Sequence, residues 1–126
     1  MKKFEIIPTL DNTEVTVKVG EAVEQMNTLR LDAFIQELAR VRAQLAPSVP
    51  NDVPLGQPVE AVADPRYWTE LEATTGGTLL MFRHPGLGWV PFLLPPGERD
   101  RLAEYFGKQA DAQAAGGSVP PGSGMH

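Results

Sequence analysis

Apolar and polar positions alternate along residues 3–19 with the two-residue period of a β-hairpin. With Asp11-Asn12 at the turn, where both residue types tolerate left-handed backbone angles, Phe4 falls opposite Val19, Ile6 opposite Val17 and Pro8 opposite Val15. These three pairs share one face. On the other face Glu5 meets Lys18, a favourable cross-strand pair. Pro8 lacks an N–H for the ladder, which marks the first strand as an edge.

Residues 20–27 fit either a continued strand or the start of a helix. From Thr28, read as the cap, to about Leu45 the period changes to that of a helix. Leu31, Phe34, Ile35, Leu38, Val41 and Leu45 form one stripe, while Arg30, Gln36, Glu37, Arg40 and Gln44 occupy the solvated side. Pro47 and Pro50 end it. Prolines 47, 50, 54, 58 and 65 then punctuate an extended connection. It is read as a surface strap that buries Val53, Leu55, Val59 and Val62.

The pattern returns to strands over 67–94. A two-residue turn at Gly76-Gly77 pairs Ala73 with Leu80, Leu71 with Phe82 and Glu70 with Arg83. A three-residue loop at 85–87 pairs Phe82 with Val90, Leu80 with Phe92 and Arg83 with Trp89. One face is then Leu71, Ala73, Leu80, Phe82, Val90, Phe92 and Leu94, the expected core. The other is mixed: Trp68, Glu70, Glu72, Leu79, Met81, Arg83, Trp89, Pro91 and Leu93. A last helix begins at Pro95-Pro96-Gly97, with Glu98 and Asp100 suited to its positive end, and is expected to end near Gly107. Residues 111–126, rich in Gly, Pro and Ser, have little to bury and read as a disordered tail. No sequence repeat is visible.

These elements predict an α+β fold of order ββ-α-βββ-α. The N-terminal hairpin and the three-stranded meander build small antiparallel sheets, joined or separate, packed with two helices. The expected organisation is a single domain over 1–110, with the 47–65 strap inside it, followed by the tail.

Composition narrows the function classes. The chain has 126 residues, 42% of them apolar, and a net charge of −5. Its basic residues are scattered, which argues against a nucleic-acid face. It has no cysteine, so disulfides and thiolate chemistry are excluded. No apolar run is long enough for a signal peptide or a membrane span, and a cytoplasmic location is expected. No cofactor or metal site is expected either.

Chemistry-bearing residues are few. His84 is the one histidine before the tail, and a histidine can move protons near neutral pH. No orienting partner or nucleophile stands at a telling spacing, so it reads as a turn residue bonded to its own loop. Gly86 and Gly88 lie between strands rather than before a helix, unlike a phosphate loop. The carboxylate pairs Glu70/Glu72, Glu60/Asp64 and Glu98/Asp100 read as solvated.

The mixed face remains. Trp, Met and Arg are enriched in protein interfaces, so Trp68, Glu70, Met81, Arg83, Trp89 and Leu93 form the candidate interaction surface, unless another part of the chain covers them. The expected function is a non-enzymatic protein-binding or accessory module, with a protein partner or a second copy of the chain as the contact. The alternative is a small-molecule-binding protein or enzyme with a pocket between the strap and the sheet, using His84, Arg83 and Trp89.

Overall fold

The structure, a computed structural model, describes residues 3–116. The chain divides into two compact units, 1–51 and 52–126. Each is built as three antiparallel strands followed by a helix.

The first unit holds β1 (Phe4–Pro8), β2 (Glu14–Val19), β3 (Ala22–Asn27) and α1 (Thr28–Arg42). Phe4 faces Val19, Ile6 faces Val17 and Pro8 faces Val15, the register that the alternation predicts. Asp11 organises the first turn by accepting hydrogen bonds from the Thr9 and Thr13 hydroxyls and the Thr13 N–H. Those donors hold its carboxyl below the ordinary range. Asn12 takes the left-handed position, with φ of 58°.

The ambiguous stretch 20–27 is a strand. Gly20, with φ of 60°, begins a tight turn into β3, and Val15 pairs with Met26 across the sheet. The helix cap is Asn27, one residue before the expected Thr28: its side-chain carbonyl accepts the Arg30 N–H at 2.9 Å. Asn27 therefore closes the ladder and opens the helix. The regular helix stops at Arg42, and turns carry the chain through Leu45.

α1 packs against β2 and β3. Beneath it Val15 and Met26 are 7% and 8% exposed, the two buried hydrophobic side chains among the described residues. Leu31 and Ile35 are half-buried, whereas Leu38 and Leu45 further along the stripe are exposed.

The second unit holds β4 (Tyr67–Leu71), β5 (Thr78–His84), β6 (Gly88–Leu94) and α2 (Pro96–Ala114). The β5–β6 register agrees with the sequence reading, from Phe82 opposite Val90 to Arg83 opposite Trp89. The β4–β5 register does not. Phe82 lies opposite Tyr67, not Leu71, and Glu70 lies opposite Leu79, not Arg83.

Glu72 is the reason. Its carboxylate accepts the Thr74 N–H, the Thr75 N–H and the Thr75 hydroxyl, and its N–H reaches the Gly77 carbonyl at 2.9 Å. The turn thus takes in Ala73 and closes between Glu72 and Gly77, rather than at Gly76-Gly77 alone. Because the displacement is an even number of residues, every strand side chain keeps its predicted face. Gly77 is required where it stands: a Cβ there would come within 2.3 Å of the Leu94 carbonyl oxygen.

The face expected to be core is open instead. Phe82 is 38% and Phe92 53% exposed, and Tyr67 and Leu71 on the same side are more so. α2 starts directly after β6 and is tied to the sheet at its first turn, where Arg99 donates to the Gly76 carbonyl at 3.2 Å. It makes no contact with β4–β6 as extensive as that of α1 with its own sheet.

α2 also runs past Gly107 to Ala114, so part of the expected tail is helical. An exposed helical glycine costs only about 1 kcal/mol relative to alanine, which the flanking residues of a long helix offset. Residues 117–126 of that tail lie outside the described residues. In the 47–65 connection, Val53, Leu55, Val59 and Val62 are exposed, so the strap buries none of the four. Its prolines keep it out of any ladder: its backbone hydrogen bonds are local ones at Leu55 and Gln57, and at its start Arg42 donates to the Pro47 carbonyl at 3.1 Å.

Candidate interaction surface

Pleating of β4–β6 sends Trp68, Glu70, Leu79, Met81, Arg83, Trp89, Pro91 and Leu93 to one face. Trp68, Met81 and Pro91 form one row across the sheet, and Glu70, Leu79 and Leu93 the next. Met81 and Leu79, on the central strand, are half-buried. Trp68 is 56% and Trp89 44% exposed, and Leu93 is also exposed.

Polar contacts on this face are local. The Trp68 indole N–H donates to Glu70 at 3.2 Å along the same strand. Arg83 donates to the His84 carbonyl at 2.6 Å. The expected Glu70–Arg83 ion pair is not formed, since the shifted register sets Glu70 against Leu79. Glu72, expected on this face, belongs to the turn. Its three hydrogen-bond donors, led by the Thr75 hydroxyl, lower its carboxyl to about 2.

His84 faces the opposite side of the sheet. Its Nδ1 accepts the N–H groups of Gly86 at 3.0 Å and Leu87 at 3.1 Å, so the side chain closes the loop it begins. Beside it lies an open depression of about 530 Å³ lined by Glu60, Ala61, Val62, Ala63, His84 and Pro85. Arg83 and Trp89 do not line it, because adjacent strand residues point to opposite faces. The ligand-site trio of His84, Arg83 and Trp89 is therefore not brought together. Among the described residues no three His, Asp or Glu side chains converge on a point that suits a metal ion. No described helix is long and apolar enough to cross a membrane.

Sequence reasoning missed the role of Glu72. The signal was a carboxylate two and three residues ahead of Thr74 and Thr75, with Gly76-Gly77 following. It also missed the tilted Tyr67–Phe82 contact on the other face, with ring centroids 6.5 Å apart, which follows from the corrected register.

Comparison with known protein families, characterised proteins and solved structures finds no match. The functional reading therefore rests on the site itself.

Proposed function

We propose that the chain is a non-enzymatic protein-binding or accessory module of the cytoplasm, and that Trp68, Met81, Arg83, Trp89 and Leu93 make the contact. The observation that carries this reading is the exposure of both tryptophans on a sheet face whose centre is Met81 and Leu79. Aromatic anchors with low side-chain entropy and an arginine at the rim suit a protein partner. Glu70 is held by the Trp68 indole, which keeps a carboxylate on the face without leaving the indole N–H unpaired. A net charge of −5 favours a partner with a neutral or basic surface over nucleic acid. A ligand pocket at His84 has less support, because the depression beside it is lined otherwise by Ala61, Val62, Ala63 and Pro85, with Glu60 the one other ionisable side chain.

Trp89→Ala tests the proposal. The thermal transition should move little, while binding of a protein partner weakens. A collapse of the transition would mean that Trp89 holds the fold together, and would remove the reading.

A further inference from the structure

The tryptophan face is not the only unpaired surface of the second sheet, and a separate argument concerns its β4 edge. Arg83 donates its N–H to the Arg66 carbonyl at 2.8 Å, and Glu72 donates to Gly77 at 2.9 Å. In an antiparallel ladder, hydrogen-bonded residues alternate. Positions 66, 68, 70 and 72 therefore spend their backbone groups on β5. Tyr67, Thr69 and Leu71 turn their N–H and C=O groups outward, and these have no hydrogen bond among the described residues.

The other outer strands are blunted. Pro91 interrupts β6 and Pro8 ends β1, each lacking an N–H, while β3 runs directly into α1, which packs against it. β4 has neither proline nor lysine, and its sequence Tyr-Trp-Thr-Glu-Leu is rich in strand-forming residues.

We propose that β4 is a self-pairing edge, on which two copies of this chain join antiparallel about Thr69 into one continuous six-stranded sheet. This register follows from the outward groups. Thr69 meets the second copy's Thr69, and Tyr67 meets Leu71, so each outward N–H and C=O finds a partner in a hydrogen-bonded pair. On the sheet faces the neighbours are favourable: Thr beside Thr, and Tyr beside Leu. Glu70 falls opposite Trp68 of the other copy, so neither carboxylate is set directly against its twin. The indole already donates to a Glu70 carboxylate within the chain, and the pairing supplies a second one. A two-fold axis perpendicular to the sheet would place Trp68 and Trp89 of both copies on the same side. The proposed contact face would then be doubled rather than consumed.

Sedimentation of the full chain at tens of micromolar tests this. The expected mass is twice 13.7 kDa. Thr69→Lys sets two cations directly opposite each other at the axis and should weaken the dimer at least about tenfold, with circular dichroism unchanged. The chain has no cysteine of its own, so Thr69→Cys gives a second reading. A hydrogen-bonded pair brings the two Cα atoms to roughly 5.5 Å, a span that a short thiol-reactive bifunctional cross-linker bridges. Such a reagent should therefore convert Thr69→Cys to a covalent dimer and leave Gln36→Cys, exposed on α1, as monomer. A monomeric wild-type chain would overturn the proposal, as would a dimer that Thr69→Lys leaves intact. A dimer lost in Trp89→Ala but kept in Thr69→Lys would assign self-association to the tryptophan face instead of the edge.

Discussion

The two units follow the same order, three antiparallel strands and then a helix, yet only in the first does the helix pack on its sheet, burying Val15 and Met26 while Phe4, Ile6 and Val19 on the Val15 face stay exposed. In unit 1 the last strand residue is also the helix cap. Asn27 turns the chain straight back, so that α1 lies over Val15 and Met26. In unit 2 the link is Pro95, with no side-chain cap, and α2 is tied to the sheet by its first turn. Phe82 and Phe92 stay open on one face, and Trp68 and Trp89 on the other. Element order alone does not make a core; the helix must also pack back on its sheet, as α1 does and α2 does not to the same extent. A three-stranded sheet with both faces wet is marginal by itself, so the second unit is the one whose stability a partner should raise.

Truncations in the two sheets give the largest expected difference. Met26→Ala should cost about 2–4 kcal/mol in a denaturant titration, as for a buried methionine. Phe82→Ala, at a half-exposed site, should cost less than about 2 kcal/mol in the unpartnered chain. The reverse order would mean that the second sheet is the covered one. Next is Gly77→Ala, where the added methyl meets the Leu94 carbonyl oxygen. A loss of about 1–3 kcal/mol is expected for such overpacking, and an unchanged midpoint would mean that β6 gives way. Asn27→Ala removes the junction's hydrogen bond and should cost about 1 kcal/mol. A neutral result would put the helix direction down to packing alone.

The smallest effect is one of pH. Glu72 is lowered from an ordinary value of 4.5 to about 2 by its turn donors. Its contribution is present above pH 4.5 and is lost as pH falls toward 2. Glu72→Gln should therefore flatten the fall in melting temperature across that window. An unaltered pH profile would detach the turn's stability from this carboxylate.

Five of the six strands and the assignment of faces were legible because a period of two survives any even displacement; β3 was not, since residues 20–27 fit either a strand or the start of a helix. The β4–β5 register was not, since Gly76-Gly77 offered a shorter turn than the one Glu72 imposes through Thr74 and Thr75. The make-up of the tryptophan face was legible for the same reason as the faces. Its exposure was not, because coverage depends on where a helix leaves the sheet, and a hydrophobic stripe carries no sign of that. The strap was misread on similar grounds: Val53, Leu55, Val59 and Val62 are spaced to bury, but spacing does not supply a surface to lie on.

Both tryptophans of the chain stand in the second unit, so their fluorescence reports the tryptophan face alone. Iodide and acrylamide quenching of the intact chain is the most direct measurement. The account predicts ready quenching by both, with red-shifted emission, whether or not the chain pairs through β4. Protection from both quenchers in a chain that sediments as monomer would contradict it, since the face would then be covered from within.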